Sequence, residues 1–97
     1  MQPRRQARIN SLIKQAVSEI IDTDLKSDFN GMITITSVKA SSDLSQAWIN
    51  FTVIGAEEDE AVRYLNRNRH QILDRMANKI RIRSLPQLKF GPDETMK

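Results

Sequence analysis

An α+β fold is what this sequence predicts, in the order α-β-β-α-α-β, with three helices packed on one face of a small three-stranded sheet. Three observations predict it. An apolar stripe at helical period opens the chain. Two β-branched stretches, joined by a short polar connection, follow it. Two more helical stretches then lead into a last extended segment that carries a proline. Ninety-seven residues make one domain, 1–97, with room for one small core. Residues 91–97 are expected to form a flexible tail.

The first helix is expected over 4–22. Ile9, Leu12, Ile13, Ala16, Val17, Ile20 and Ile21 recur at spacings of three and four, which stacks them on one helical face. Pro3 suits the first helical position. Asp28-Phe29-Asn30-Gly31 is a turn signal. The β-branched residues 32–40 make a strand, and Ser41-Ser42-Asp43-Leu44-Ser45 connects it to the next. Asp43 and its serines are suited to bond nearby backbone amides and fix that turn. Residues 46–54 alternate, with Ala47, Ile49, Phe51 and Val53 on one side and Trp48, Asn50 and Thr52 on the other. Strands joined this closely pair antiparallel.

Gly55 ends the second strand. Glu57, Glu58, Asp59 and Glu60 then load the first turn of a second helix, where the macrodipole favours anions. Ala61, Tyr64 and Leu65 form its inner face. Asn66-Arg67-Asn68-Arg69-His70 reads as a turn or kink, and a third helix turns Ile72, Leu73, Met76, Ala77 and Ile80 inward. Ile82, Leu85, Leu88 and Phe90 mark a last strand that Pro86 starts or bends. One core should unite Ile13, Val17, Ile20, Ile35, Ile49, Phe51, Ile72 and Met76. The order of elements is that of a type II KH domain.

Charge is sorted along the chain. Residues 63–89 hold Arg63, Arg67, Arg69, Arg75, Lys79, Arg81, Arg83 and Lys89 against Asp74 alone, and residues 1–15 hold Arg4, Arg5, Arg8 and Lys14 against no acid. The acids gather in 16–62, where the only bases are Lys26 and Lys39. A net charge of +3 therefore hides a strong dipole. Should the two basic stretches meet in space, they make the positive face of a nucleic-acid binder. An acidic protein partner would suit the same face.

Other chemistries have little support. Cysteine is absent, so disulfides, thiolate catalysis and Cys-based zinc sites are excluded, which fits a reducing, cytoplasmic compartment. There is no long apolar run to span a membrane. His70 is the single histidine and lies in a basic run, with only Asp74 nearby in sequence as an orienting carboxylate; a surface or turn histidine is the simpler reading. The glycines, Gly31, Gly55 and Gly91, build no phosphate-binding loop. No cofactor, metal or enzymatic activity is expected.

The nucleic-acid candidates fall into groups. Arg75 and Lys79 are one helical turn apart, opposite Ile72, Met76 and Ile80. Arg81 and Arg83 share one face of the extended segment that follows. Arg67, Arg69 and His70 lie in the turn before the third helix. Arg4, Arg5 and Arg8 begin the first helix, where positive charge is unfavourable by about 0.3–1 kcal/mol each at low salt. Stability does not ask for them there, whereas a phosphate would; a solvated terminus is the alternative for Arg4 and Arg5. KH domains clamp nucleotides with a G-x-x-G loop. Here Arg67-Asn68-Arg69-His70 takes that place without glycine, so side chains rather than backbone amides must reach the phosphates. Trp48, the only tryptophan, either stacks on a base or covers a sheet edge or helix end.

Three stretches resemble the ribosome-binding factor A family. They are Gly31-Met32-Ile33-Thr34-Ile35-Thr36-Ser37-Val38, Ser41-Ser42-Asp43-Leu44-Ser45-Gln46-Ala47-Trp48-Ile49, and Arg81-Ile82-Arg83-Ser84-Leu85-Pro86-Gln87-Leu88-Lys89-Phe90 followed by Asp93. The resemblance implies a KH-type fold and a monomeric, non-catalytic factor. It also implies binding to the immature small ribosomal subunit and its rRNA, in late maturation and rRNA processing. Members of the family usually carry an Ala-x-Gly kink between the last two helices, where this chain has Asn68-Arg69-His70, and they often continue past the last strand.

Overall fold

The structure, a computed structural model, describes residues 3–25, 29–81 and 84–93, with the backbone alone at Pro3 and Arg4. Helix α1 spans Pro3–Glu19 and passes into a π-helical turn, Ile20–Asp24. Strands β1 (Met32–Ala40) and β2 (Gln46–Ile54) follow, then helices α2 (Glu58–Arg67) and α3 (Arg69–Lys79), and strand β3 (Gln87–Pro92). The order and class are those the sequence predicts.

The sheet runs β1-β2-β3, so β2 is central. β1 pairs antiparallel to β2, and β3 pairs parallel to it. A parallel neighbour needs a long crossover, and the α2–α3 pair is that crossover. Inward-facing Ala47, Ile49 and Phe51 of β2 have no exposed surface. α1 covers β1, α2 lies over β2 and β3, and α3 packs against α1. The expected core residues Ile13, Val17, Ile20, Ile35, Ile49, Phe51, Ile72 and Met76 are all buried in one cluster, which Leu25, Tyr64, Leu65 and Leu88 join.

β1 keeps its apolar side chains inward only because it bulges. The register shifts between Ile35 and Ser37. Strict alternation from Ile33 and Ile35 would turn Val38 and Ala40 outward, since one step of register flips every side chain. The extra residue, Thr36, restores both to the core and turns Ser37 and Lys39 to the opposite face. Thr36 Oγ1 donates to the Asn50 carbonyl, 3.2 Å away, across the gap.

The first helix ends differently from expectation. The sequence predicts regular helix to residue 22, whereas α1 gives way at Ile20 to a wider turn closed by Leu25 N–H donating to the Ile20 carbonyl at 3.0 Å. The wide turn brings Leu25 round beneath Ile20, so both are buried. Thr23 Oγ1 takes up the Glu19 carbonyl at 2.7 Å. Leu12, at the margin of the apolar stripe, is 42% exposed, and Ala77, expected inward on α3, is exposed.

The last strand starts after Pro86, which is buried, so Leu85 precedes the ladder; Ile82 lies outside the described residues. Gly91 and Pro92, assigned by the sequence to the tail, extend β3 instead, and Asp93 N–H donates to the Phe51 carbonyl at 2.7 Å. The parallel ladder beside β2 reaches far enough to hold them. Gly55 turns the chain out of β2 at φ +88°, and Gly31 packs so closely that a Cβ there would lie 2.9 Å from the Phe29 ring.

The β1–β2 connection is built around Asp43. Its Oδ1 accepts from Ser41 Oγ (2.8 Å), Ser45 Oγ (2.8 Å) and Ser45 N–H (3.1 Å). The Ser41 hydroxyl, then the Ser45 amide and hydroxyl, hold the Asp43 carboxyl down to about 2. Leu44 sits at φ 61°, a left-handed geometry that costs a non-glycine residue roughly 1–2 kcal/mol, and its N–H donates to the Ser41 carbonyl at 2.9 Å.

Two outcomes follow. Phe51→Ala should cost about 3–5 kcal/mol in urea unfolding; an unchanged midpoint would mean that this β2 register is wrong. Asp43 has a folded pKa below its unfolded one, so its contribution is present above the ordinary value of 3.8 and is lost as pH falls toward about 2. Asp43→Ala should therefore lower the unfolding temperature at neutral pH, and the difference from wild type should close across that acid window. A constant difference down to the acid limit would remove the carboxylate from the turn's support.

Candidate nucleic-acid interface

α1 is tied to the sheet by polar side chains on the margin of its apolar stripe. Gln6 Nε2 donates to the Ala40 carbonyl at 2.6 Å, and Asn10 Oδ1 accepts from the Ala40 N–H at 2.9 Å. These bonds seat the start of α1 over the β1–β2 connection. Arg5 and Arg8 are exposed beside it, and the first turn of α1 holds no acid. Arg4 belongs to the helix, and its side chain lies outside the described residues. Neither Gln6 nor Asn10 stands out in the sequence, because a polar residue on a helix margin has the same signature whether it docks or is solvated.

The break between α2 and α3 is one residue, Asn68, rather than the whole Asn66–His70 stretch. Asn66 and Arg67 complete α2, while Arg69 and His70 begin α3. Asn68 makes the break at φ −100°, ψ 12°, where no glycine is required. Its Nδ2 donates to the Tyr64 carbonyl at 2.8 Å, and its own carbonyl accepts from Ile72 N–H at 3.0 Å. Its side chain thus satisfies a carbonyl at the end of α2, and its carbonyl starts α3. Arg67 and His70 are exposed and Arg69 is half-buried. Arg67, in the last turn of α2, suits the helix dipole; Arg69 opposes it at the start of α3, whose first turn carries no acid.

Arg67 also lines a cleft with Arg63, Glu60, Phe29 and Asn30. The Phe29 and Tyr64 rings pack there with centroids 4.9 Å apart.

Farther along α3, Arg75 and Lys79 are exposed, as their spacing predicts. Lys79 is engaged: its Nζ lies 3.0 Å from Glu19 Oε1, across a groove lined by Leu12, Gln15, Ala16 and Ile80. The hydrogen bond to Glu19 raises the Lys79 pKa above its usual value, with Asp24 adding to the effect and Arg75 opposing it. Arg81 follows α3 and is exposed; Arg83 lies outside the described residues.

The candidates therefore separate. Lys79 stands at the Glu19 end of α1 and Arg5 near its start, 14 residues earlier, or about 21 Å along the helix. The positive charge of the sequence is thus not gathered at one end of α1. Trp48 is 42% exposed on the face away from the helices. Among the described residues no group of three His, Cys, Asp or Glu side chains is placed to hold a metal, and no helix is long and apolar enough to cross a membrane.

Comparison with known proteins gives one answer. The family model for ribosome-binding factor A matches residues 5–97. A ribosome-binding factor A from Macrococcus caseolyticus is 33% identical over 94 residues, covering 95% of this chain and 82% of the relative. The crystal structure of ribosome-binding factor A from Thermus thermophilus superposes with a TM-score of 0.81 at 28% identity, covering 90% of this chain and 94% of that one. A homology model of the Thermus thermophilus factor, fitted into the cryo-electron-microscopy map of a complex of that factor with 30S, gives a TM-score of 0.75 at 29% identity, covering 89% of this chain and 92% of that one.

The two exposed cations of α3 should respond differently to charge reversal. Lys79→Glu places two carboxylates together and should lower the melting temperature, with recovery in the Glu19→Lys, Lys79→Glu swap; Arg75→Glu, which removes a cation that opposes Lys79, should not lower it. Because the Lys79 pKa is raised on folding, the pair's contribution is present below pH 10.5 and is lost as pH rises through the higher folded value. Equal melting temperatures for wild type, Lys79→Glu and the swap at neutral pH would dismiss the ion pair.

Proposed function

Because this chain belongs to the ribosome-binding factor A family, we propose that it is a non-catalytic, monomeric, cytoplasmic assembly factor. It binds the immature small ribosomal subunit and its rRNA during late maturation and rRNA processing. The observation that carries this reading is the match, over nearly the whole chain, to the Thermus thermophilus factor fitted into a 30S complex. The charge placement supports it. Arg4, Arg5 and Arg8 at the start of α1, and Arg69 at the start of α3, stand where helix dipoles disfavour them, so a phosphate partner accounts for them better than folding does.

In this reading Arg67, Arg69 and His70 present side chains to RNA at a helix junction that offers no glycine loop. Arg75, Arg81 and Arg83 extend the contact, and Lys79 joins it by leaving Glu19 or by sharing its charge. Binding by such groups releases condensed counterions, so affinity falls steeply with salt.

Sedimentation of cell extract through a sucrose gradient tests the proposal. The protein should travel with free small subunits and not with full ribosomes. Arg75→Glu combined with Arg81→Glu should weaken binding to purified small subunits and flatten the logarithmic salt dependence by roughly 0.7–0.9 for each phosphate that is no longer neutralised. Glu57→Gln with Glu58→Gln, at the oppositely charged start of α2, should change little. Sedimentation only at the top of the gradient would defeat the proposal, and an unchanged salt slope in the Arg75/Arg81 double variant would move the RNA contact off α3.

A further inference from the structure

All three helices lie on one side of the sheet, and among the described residues no element covers the other side. The pairing sets one row across it. Lys39 of β1 is opposite Trp48, and Trp48 is opposite Lys89 of β3. All three are exposed. The next row is Ser37, Asn50 and Gly91. A Cβ placed on Gly91 would meet nothing within 4 Å, so there is space beside the indole. The strands contain no Asp or Glu, and their only charges are these two lysines.

An exposed tryptophan needs a reason. β2 is the central strand, so Trp48 covers no sheet edge, and it faces away from every helix. Edge strands often carry lysine to discourage pairing with other chains, which would account for Lys39 and Lys89 separately. It does not account for an indole held between them. Neighbouring strands are about 4.8 Å apart, so the lysine backbones straddle Trp48 roughly 10 Å from each other. An aromatic platform with flanking cations is how single-stranded nucleic acid is held, with the base on the ring and the phosphates on the cations.

We propose that the open sheet face is a second RNA site, in which an unpaired base stacks on Trp48 while Lys39 and Lys89 hold the phosphates on either side. The site rests on the reading that this chain binds ribosomal RNA. It is separate from the helix residues, and it would let the factor grip a duplex or junction with its helices and a looped-out base with its sheet.

Trp48 is the only tryptophan, so fluorescence excited at the red edge of the indole band, where Tyr64 does not absorb, reports on Trp48 alone. The full chain is titrated with a mixed-sequence single-stranded RNA of about ten nucleotides and with a duplex of the same sequence. Anisotropy of end-labelled RNA follows total binding. The single strand should quench Trp48 emission saturably, and the duplex should not. Trp48→Ala should weaken single-strand affinity about tenfold, the effect of one stacked base, while Trp48→Phe keeps most of it. Lys39→Gln and Lys89→Gln should each lower the salt slope by about 0.7. Circular dichroism confirms that each variant is folded, and the lysine variants test the site even if Trp48→Ala is not. Single-strand binding by anisotropy with silent Trp48 emission and unaffected variants overturns this site alone. Failure to bind any RNA or small subunit overturns it together with the proposed function. A Trp48→Ala protein that loses small subunits but keeps single strands would assign the face to a protein partner and overturn the RNA site.

Discussion

Ala47, Ile49 and Phe51, the inward side of β2, have no surface left to water, and covering them places every other layer. β1 and β3 flank them in the plane of the sheet. Ile13, Val17, Ile20, Leu65, Ile72 and Met76 close over them with no exposed surface of their own. In a chain this short, burial of this kind is the dominant favourable term, and it suffices for one face. The three helices cover the inner face, and among the described residues none covers the outer one.

Local devices keep that burial consistent. The Thr36 bulge rephases β1, and the π-helical turn rephases the end of α1. Both insert a residue where a regular element would have turned an apolar side chain to water, at Val38 and Ala40 in one case and at Leu25 in the other. The connection around Asp43 is polar throughout, and its three hydrogen bonds to one carboxylate oxygen hold Leu44 in a left-handed geometry that packs it against the core.

The break between α2 and α3 is made without glycine, whose backbone freedom would permit close approach. Asn68 instead breaks the helix at negative φ and satisfies the Tyr64 carbonyl with its own carboxamide. The surface around it then consists of side chains, Arg67, Arg69 and His70, rather than exposed backbone amides. A contact made by long cations is less dependent on close shape and more dependent on salt than one made by a glycine loop.

Element order, the extent of both hairpin strands and the core were legible in the sequence. Period two and period 3.6 are direct traces of which side chains must leave water, and the dominance of burial makes those traces strong. The family resemblance was legible for a different reason, since it rests on local motifs such as Ser41–Ser45 whose bonds are made within five residues. The bulge and the wide turn were not legible, because each sets the phase of an element against the core; the α2–α3 break was legible as a kink within 66–70 but not as the single residue Asn68. Charge was legible as a sorted string and not as a surface. Only folding separates Lys79 from Arg5 by the length of α1 and ties Lys79 to Glu19, 60 residues away. Only strand register draws Lys39 and Lys89 to either side of Trp48. Local preference acts between near neighbours and is written residue by residue. Which cation meets which carboxylate or ring is set by the packing of whole elements, and that exists only once the chain has closed on itself.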